Sequence, residues 1–441
     1  YTLSLHDALP ISTHRLSRTS SEINRTEVPK VSDLIGKKTV IVMVGLPARG
    51  KSYIVKMLHR YLNWVGYRTS VFNAGDYRRR LGYTGEDSTF FDPNNKSALA
   101  LRTKFAVFAL DDLMTFLQEG GDVGIFDATN TTRQRRQEIL DRCYHADVDI
   151  LFIESICDDP VLLRKNYEMK LSNSDYANMD RELALKDFTE RLKQYESIYE
   201  PLDRAYDKNS PFIKLYNVGD FLQANRCNGV LESDVIFYLL NAHIQPRKIW
   251  LCIHGETDFD LRGVSGGDPD LDERGIRFSK ELHDFVAAQG TSDSVSILCD
   301  TSHRVYQTVR PLQYEYRIEY CGMLRDIDRG DFEQKTEEMI RREFPQEWER
   351  QQMNPLRYRY PGGESYMDVK ERCHRILMKL VGTRESVLVV AHKVILQVIM
   401  SYFLDIPAEQ MPSIEVKENT VYELEPTAYC TKTKECTLLN D

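Results

Sequence analysis

Residues 39–52 read TVIVMVGLPARGKS, and the fold of the N-terminal half turns on them. Thr39 to Val44 is a short apolar run rich in β-branched residues, the pattern of a parallel strand covered on both faces. Gly45-Leu46-Pro47-Ala48-Arg49-Gly50-Lys51-Ser52 follows directly, and Tyr53 to Trp64 carries a helical apolar repeat. Strand, GxxxxGKS loop and helix in this order make a phosphate cradle. Backbone N–H groups around Gly45, Ala48, Arg49 and Gly50 face an anion, and the helix N-terminus adds its positive end. Lys51 reaches the outer phosphates of a nucleotide and Ser52 can hold magnesium. The alternative is a glycine turn with a structural role only.

The neighbouring text extends the same logic. Thr69 to Asn73 (TSVFN) reads as a second strand and leads into Gly75-Asp76-Tyr77-Arg78-Arg79-Arg80. These arginines are either a solvated helix face or, at Arg78 and Arg79, a clamp on an anionic acceptor beside the nucleotide. Val123 to Phe126 reads as a strand with Asp127 at its carboxyl end, followed by ATNTTRQRR. Asp127 there either coordinates magnesium or orients an attacking hydroxyl, with Thr129 and Arg135 binding the acceptor. The competing reading is a helix N-cap at Asp127 or Thr129 and an exposed basic helix. Asp149 to Ser155 is a further strand, and Lys170 and residues 191–199 (RLKQYESIY) lie in helical text where plain surface charge is the simpler reading. Ile213 to Asn217 reads as the last strand, before a helix over Glu232 to Asn241. The whole is a doubly wound α/β domain with its site at the strand carboxyl ends.

Near Gln245-Pro246-Arg247 the chain restarts. Lys248 to Cys252 reads as a strand delivering Ile253-His254-Gly255-Glu256-Thr257, and Ser386 to Ala391 as a second strand ending in His392. Two histidines at the ends of adjacent parallel strands can share one pocket, His254 as a nucleophile that takes a phosphoryl group and His392 as its neighbour. Each is otherwise a structural histidine. Arg304, near a strand over Val295 to Cys299, and Arg359 are candidate phosphate contacts, and Glu256 or Asp326 a candidate acid if burial raises its pKa. The two histidines lack a carboxylate or cysteine at ligand spacing, so no metal cluster is expected.

Composition sets the frame. With 441 residues, two domains of about 200 each are expected. A net charge of -9 gives no reason to expect nucleic acid, and no apolar run is long enough to span a membrane. The nine cysteines are scattered without a CxxC pair, which argues against a disulfide framework and for a cytoplasmic protein. Residues 1–33 read as disordered, and the opening YTLSLHDALPIS as read-through or added sequence; the end after Thr437 reads as truncated.

Across residues 34–430 the chain resembles the 6-phosphofructo-2-kinase/fructose-2,6-bisphosphatase family. The resemblance rests on GLPARGKS at 45–52, FNAGDYRRR at 72–80, FDATNTTRQRR at 126–136, SICDDP at 155–160 and YESIYEPLD at 195–203. It implies a P-loop kinase domain with a mostly parallel sheet over 34–246 and a histidine-phosphatase-like α/β domain over 247–441. It implies MgATP and fructose 6-phosphate as substrates, fructose 2,6-bisphosphate as product, and a homodimer. It places ATP on Gly50, Lys51 and Ser52, the sugar phosphate on Arg78, Arg102 and Arg191 with Thr129, Arg135 and Tyr195 assisting, and Asp127 and Lys170 beside the transferring group. Lys165 stands where the family has an ATP-side asparagine, with Asn166 next to it, and Ser174 replaces a proline.

The second half departs further. The family's RHGE is Ile253-His254-Gly255-Glu256 here, so an apolar side chain replaces a phosphate-binding arginine. Asp260 stands for an asparagine, Gly263-Val264-Ser265-Gly266-Gly267-Asp268 for GRIGGD, and Asp326 for the catalytic glutamate. Glu337, Gln351, Pro355, Lys393 and Gln397 replace a tyrosine, an arginine, a lysine, a glutamine and an arginine. Losing one fixed cation beside a developing phosphoryl charge costs about 3 kcal/mol, roughly a hundredfold in rate. Misplacing the acid by about one methylene can cost roughly another hundredfold. The expectation is a working kinase with a weakened or lost bisphosphatase, although His254, Glu256, Arg304, Arg359 and His392 remain. A fully bifunctional enzyme, in which Lys393 or Arg262 supplies the missing charge, and a regulatory protein that binds without turnover are the alternatives.

Overall fold

The computed structural model describes residues 37–173, 175–176, 179–243, 246–291, 294–427 and 430–439. Residues 1–33 and Ser174 lie outside them.

The first sheet runs β2-β3-β1-β4-β5-β6, from β1 (Thr39–Val44), β2 (Thr69–Asn73), β3 (Val123–Asp127), β4 (Asp149–Ile156), β5 (Phe212–Tyr216) and β6 (Phe221–Asn225). Five strands are parallel, and β6 pairs antiparallel with β5 at the edge. Every residue of β1 is buried, as a central parallel strand between two helical layers requires. The helix Lys51–Val65 continues from the β1 loop; Ile54, Leu58, Tyr61, Leu62 and Val65 recur at its helical period, and Gly66 ends it by donating its N–H to Leu62 O. Ile213–Asn217 is therefore not the last strand of this unit. FLQAN of β6 has mostly exposed side chains and no apolar alternation, so only its ladder to β5 reveals it.

The second sheet runs β12-β11-β7-β10-β8-β9, from β7 (Ile249–Ile253), β8 (Val295–Cys299), β9 (Ile318–Tyr320), β10 (Ser386–Ala391), β11 (Thr420–Pro426) and β12 (Thr431–Thr437). Strands β7, β10, β8 and β9 are parallel, and β11 and β12 add an antiparallel hairpin.

The two sheets share a core, while each keeps a further apolar cluster of its own. One buried apolar cluster runs from Ile41 and Ile54 through Tyr61, Trp64 and Tyr238 to Ile395, Tyr402 and Phe403. Polar contacts lock the same seam: Trp64 Nε1 donates to Ser401 Oγ at 3.2 Å, the Tyr238 and Tyr402 hydroxyls meet at 2.9 Å, and Lys370 Nζ donates to Val65 O at 3.2 Å. The helix that starts at the phosphate loop thus ends against the second unit.

Candidate active sites

The first site lies at the carboxyl ends of β1, β2, β3 and β4. Gly45 has φ 134°, and a Cβ there would stand 2.6 Å from the Ser155 carbonyl oxygen, so the loop can pass over β4 only with glycine. Gly45 N donates to Thr129 O at 2.9 Å and Asn130 Nδ2 to Met43 O at 2.8 Å, tying the loop to the turn after β3. Lys51 Nζ donates to the carbonyls of Gly45 (2.8 Å) and Leu46 (2.5 Å). Burial pushes its pKa down to about 7, partly offset by Asp127. Arg49 reaches the Tyr167 hydroxyl at 3.4 Å and Glu196 at 3.7 Å.

Asp127 ends β3, buried, and its Oδ2 accepts from Ser52 Oγ at 3.2 Å and Asn73 Nδ2 at 2.5 Å. Burial raises its pKa against the pull of Lys51. A hydroxyl and a carboxylate converging beside a phosphate loop are hard oxygen donors of the kind that suit magnesium, which completes its shell with phosphates and water. Neither Asp127 nor Thr129 is a helix N-cap: the Thr132 side chain caps the helix Arg133–His145.

The acceptor side is organised around Phe91. The guanidinium of Arg191 lies 3.6 Å from the ring centroid, with Arg78 at 5.8 Å, Arg102 at 6.0 Å and the Tyr195 ring at 6.1 Å. Three arginines thus gather around one aromatic ring, and their charges are held together by cation–π attraction and by Asp175, which pairs with Arg78 at 2.5 Å and Arg79 at 3.6 Å. Arg102 donates to Phe91 O at 3.0 Å. Lys170, its pKa lowered to about 8 by burial and by Arg191 and Arg79, also feels Asp127, so it stands between this cup and the nucleotide side. Arg78 is buried, which removes it from the solvated-face reading. Arg135 pairs with Glu138 at 3.1 Å and Thr129 offers its carbonyl to the loop; no contact joins either to the Phe91 cup among the described residues.

In the second sheet, Ala391 of β10 sits opposite Ile253 of β7, so His392 and His254 leave their strands side by side. Their rings lie 5.1 Å apart, both buried. His254 Nδ1–H donates to Gly255 O at 2.8 Å, which leaves Nε2 with its lone pair. Burial, with His392 and Arg304 adding to it, drops the His254 pKa to about 3, so the ring is neutral and its Nε2 lone pair is available. Arg304 NH2 donates to His392 Nδ1 at 3.2 Å, and His392 Nε2–H to Asp300 Oδ2 at 2.9 Å. Burial alone would raise Asp300, but the His392 hydrogen bond brings its pKa to about 2.

Asp326 does not meet the condition for an acid. Burial would raise it, but Arg329, His392 and Arg304 together hold it well below the usual carboxylate range. Glu256 is buried and pairs with Arg274 at 3.3 Å. Arg359 is turned to Asp368 at 2.5 Å with its side chain 54% exposed, away from the histidines.

The 6-phosphofructo-2-kinase family model matches residues 27–246 and that of the histidine phosphatase superfamily (branch 1) residues 249–439. Rat 6-phosphofructo-2-kinase/fructose-2,6-bisphosphatase 3 is 42% identical over 399 residues, covering 90% of this chain and 71% of the relative. Human 6-phosphofructo-2-kinase/fructose-2,6-bisphosphatase 4 is 42% identical over 393 residues, covering 89% and 83%. The bullfrog enzyme (Aquarana catesbeiana) is also 42% identical, covering 89% and 83%. The chain belongs to the 6-phosphofructo-2-kinase/fructose-2,6-bisphosphatase family. It is a phosphotransferase with the family's kinase and phosphatase units in order, and no helix among the described residues is long and apolar enough to cross a membrane.

Its departures from the family fall unevenly. Lys165 is exposed, whereas Asn166 is half-buried one turn before Lys170 on the same helix face. In the second unit, Ile253 is buried in the shared apolar cluster. The Asp260 carboxylate accepts from Thr257 N and Oγ1 at 2.9 and 2.6 Å, capping its own helix. Of the two candidate substitute cations, Lys393 is exposed directly after His392, and Arg262 pairs with Asp258 at 2.7 Å with its side chain 57% exposed. Gln351 donates to the Tyr360 hydroxyl and Gln397 accepts from that of Tyr366, both at 2.9 Å. Four residues that build the sites escaped the sequence reading: Phe91, Asp175, Asp300 and Arg329. Only Asp300 carried a usable signal, an acid directly after a strand, the same placement as Asp127.

Proposed function

We propose that the chain phosphorylates O2 of fructose 6-phosphate with MgATP to give fructose 2,6-bisphosphate and ADP, and that its bisphosphatase activity is weak or lost. The observation that carries this reading is the contrast between the pockets: three arginines gathered on Phe91 with Lys170 leading to Asp127, against an apolar Ile253 beside His254.

Arg78, Arg102 and Arg191 hold the 6-phosphate, with Tyr195 closing the cup, and so fix where the sugar hydroxyl points. Asp127, its proton affinity raised by burial, accepts the hydroxyl proton as O2 bonds to the γ-phosphorus and the bond to ADP breaks. Lys51 and Lys170 neutralise the charge on the moving group. Ser52 and Asp127 would hold magnesium, which supplies further charge on the outer phosphates.

The bifunctional reading is favoured by a specific geometry, since His254 keeps a free Nε2 facing the His392–Arg304 pair. Paired assays of the full chain separate the two: fructose 2,6-bisphosphate formation from MgATP and fructose 6-phosphate, and its hydrolysis with a trap for phospho-His254. Synthesis with little hydrolysis is the expected result. Hydrolysis at a comparable rate overturns the one-way kinase, and absence of synthesis leaves a protein that binds without turnover.

A further inference from the structure

The second pocket contains a cation that neither its histidines nor its motif announces. Arg329 NH1 lies 3.1 Å from Asp326 Oδ2, and Arg304 NH2 lies 3.8 Å from the same oxygen. One carboxylate therefore bridges two guanidinium groups, and Arg304 in turn touches His392, the neighbour of His254. Both arginine side chains are largely enclosed, Arg304 at 6% and Arg329 at 18% exposure. Arg304 Nε is buried without an acceptor among the described residues. Tyr360 and Tyr366 lie within electrostatic reach of Arg329, and their hydroxyls are bonded to Gln351 and Gln397. Those glutamines occupy the two positions where the family resemblance sets arginines. Glu333 completes the surroundings, accepting from Arg329 N at 3.1 Å.

We propose that Arg329 is a substrate-binding residue of the second pocket: with Arg304 it receives a phosphate monoester, taking over charge that Ile253, Gln351 and Gln397 no longer supply. This rests on reading the unit as a phosphatase pocket with weakened turnover. An incoming phosphate dianion competes with Asp326 for both guanidinium groups, so Asp326 acts as a built-in stand-in for the ligand and weakens its binding. The pocket then recognises phosphorylated sugars through a rearranged cation pair. Because Arg329 is linked to the histidines only through Asp326 and Arg304, it governs affinity more than the rate of transfer to His254.

The test is titration of the full chain with inorganic phosphate, read by 31P line broadening, alongside kinase assays. Arg329→Ala should weaken phosphate binding about tenfold or more, with Arg329→Lys within a few-fold of the parent, and kinase turnover unchanged in both. Asp326→Asn should tighten phosphate binding, an outcome that a merely structural Arg329–Asp326 clamp would not produce. Phosphate binding by Arg329→Ala equal to that of the parent, or no binding by the parent, overturns the proposal. Whether the parent hydrolyses fructose 2,6-bisphosphate is read separately: fast hydrolysis would sink the one-way kinase, while a raised KM at unchanged kcat in Arg329→Ala would still uphold the role of Arg329.

Discussion

Two phosphate pockets stand at the carboxyl ends of two α/β sheets in this chain, and they solve the gathering of positive charge differently. In the first, Arg78, Arg102 and Arg191 crowd one ring, and the one acid among them, Asp175, pairs with Arg78 and Arg79. In the second, two arginines share the single carboxylate of Asp326, and the strand position that should carry a third holds Ile253. An aromatic face holds cations together without neutralising them, whereas a bridging acid holds them together by neutralising them. Asp175 also bridges two arginines through one oxygen, but Arg102 and Arg191 stand at Phe91 besides, so the first arrangement leaves net positive charge for an incoming phosphate, whereas in the second the ligand must displace Asp326 from both arginines. This difference in charge is what the proposed one-way kinase rests on.

The largest expected effect comes from reversing the defect. Ile253→Arg returns a fixed cation to the end of β7, and hydrolysis of fructose 2,6-bisphosphate should rise about a hundredfold, equivalent to roughly 3 kcal/mol of transition-state stabilisation. Kinase turnover should stay constant. Single-turnover phosphohistidine formation measures the gain directly, and no increase in a folded variant would mean that Asp326, locked as a carboxylate, limits the reaction instead.

Acid titration tests the same pocket by another route. The His254 pKa is lowered to about 3 from 6.5, so between those values the unfolded chain binds a proton that the folded chain refuses. Stability contributed by neutral His254 is thus present above pH 6.5 and falls as pH drops through the window, by on the order of 3 kcal/mol between pH 6.5 and 4. His254→Gln should flatten that part of the slope, measured as denaturant midpoints at several pH values. Asp300, lowered from 3.8 to about 2, loses its contribution between those values, almost wholly below pH 4, so it does not mask the effect between pH 6.5 and 4. An unchanged slope in the variant would show that His254 is already charged in the folded chain.

How much of this was legible in the sequence depends on whether a residue acts through its neighbours in the chain or across it. The loop at 45–52, Asp127 after β3 and the histidines after β7 and β10 could be read because strand ends place side chains by local rules alone. Phe91 could not, since it organises arginines more than a hundred residues apart in sequence, from Arg78 to Arg191. Arg329 was hidden because its partner Asp326 reads as a candidate acid, and only the shared oxygen shows it as a bridge. Trp64–Ser401 and Tyr238–Tyr402 join the two sheets through one apolar cluster that no periodicity announces.

A subtler variant probes the first pocket. Phe91→Leu keeps an apolar filler but removes the ring around which three guanidinium groups gather, and the KM for fructose 6-phosphate should rise about tenfold, in line with one or two cation–π contacts. The KM for ATP should barely move, because Lys51 and Ser52 are held by the β1 loop and by Asp127. Equal loss for both substrates would mean that Phe91 supports the fold rather than the cup.

The smallest effect is a fraction of a proton, and it contrasts the two pockets most directly. Burial lowers Lys51 to a pKa of about 7, so at pH 8 most of it is neutral before nucleotide arrives. A triphosphate beside Nζ favours the ammonium and raises that pKa, so binding at pH 8 should take up close to one proton, while binding at pH 6, where Lys51 is already charged, should take up almost none. Affinity for nucleotide accordingly weakens as pH rises above 7, until the pKa of the bound state is reached. Calorimetry in two buffers of different ionisation heat counts the protons, and zero uptake at pH 8 would show that the free loop already holds a charged lysine. Phosphate entering the second pocket meets the guanidinium groups of Arg304 and Arg329 rather than a buried lysine, so its binding should carry no such uptake from cations. Proton uptake at the first pocket alone thus follows from building one site around a buried lysine and the other around arginines.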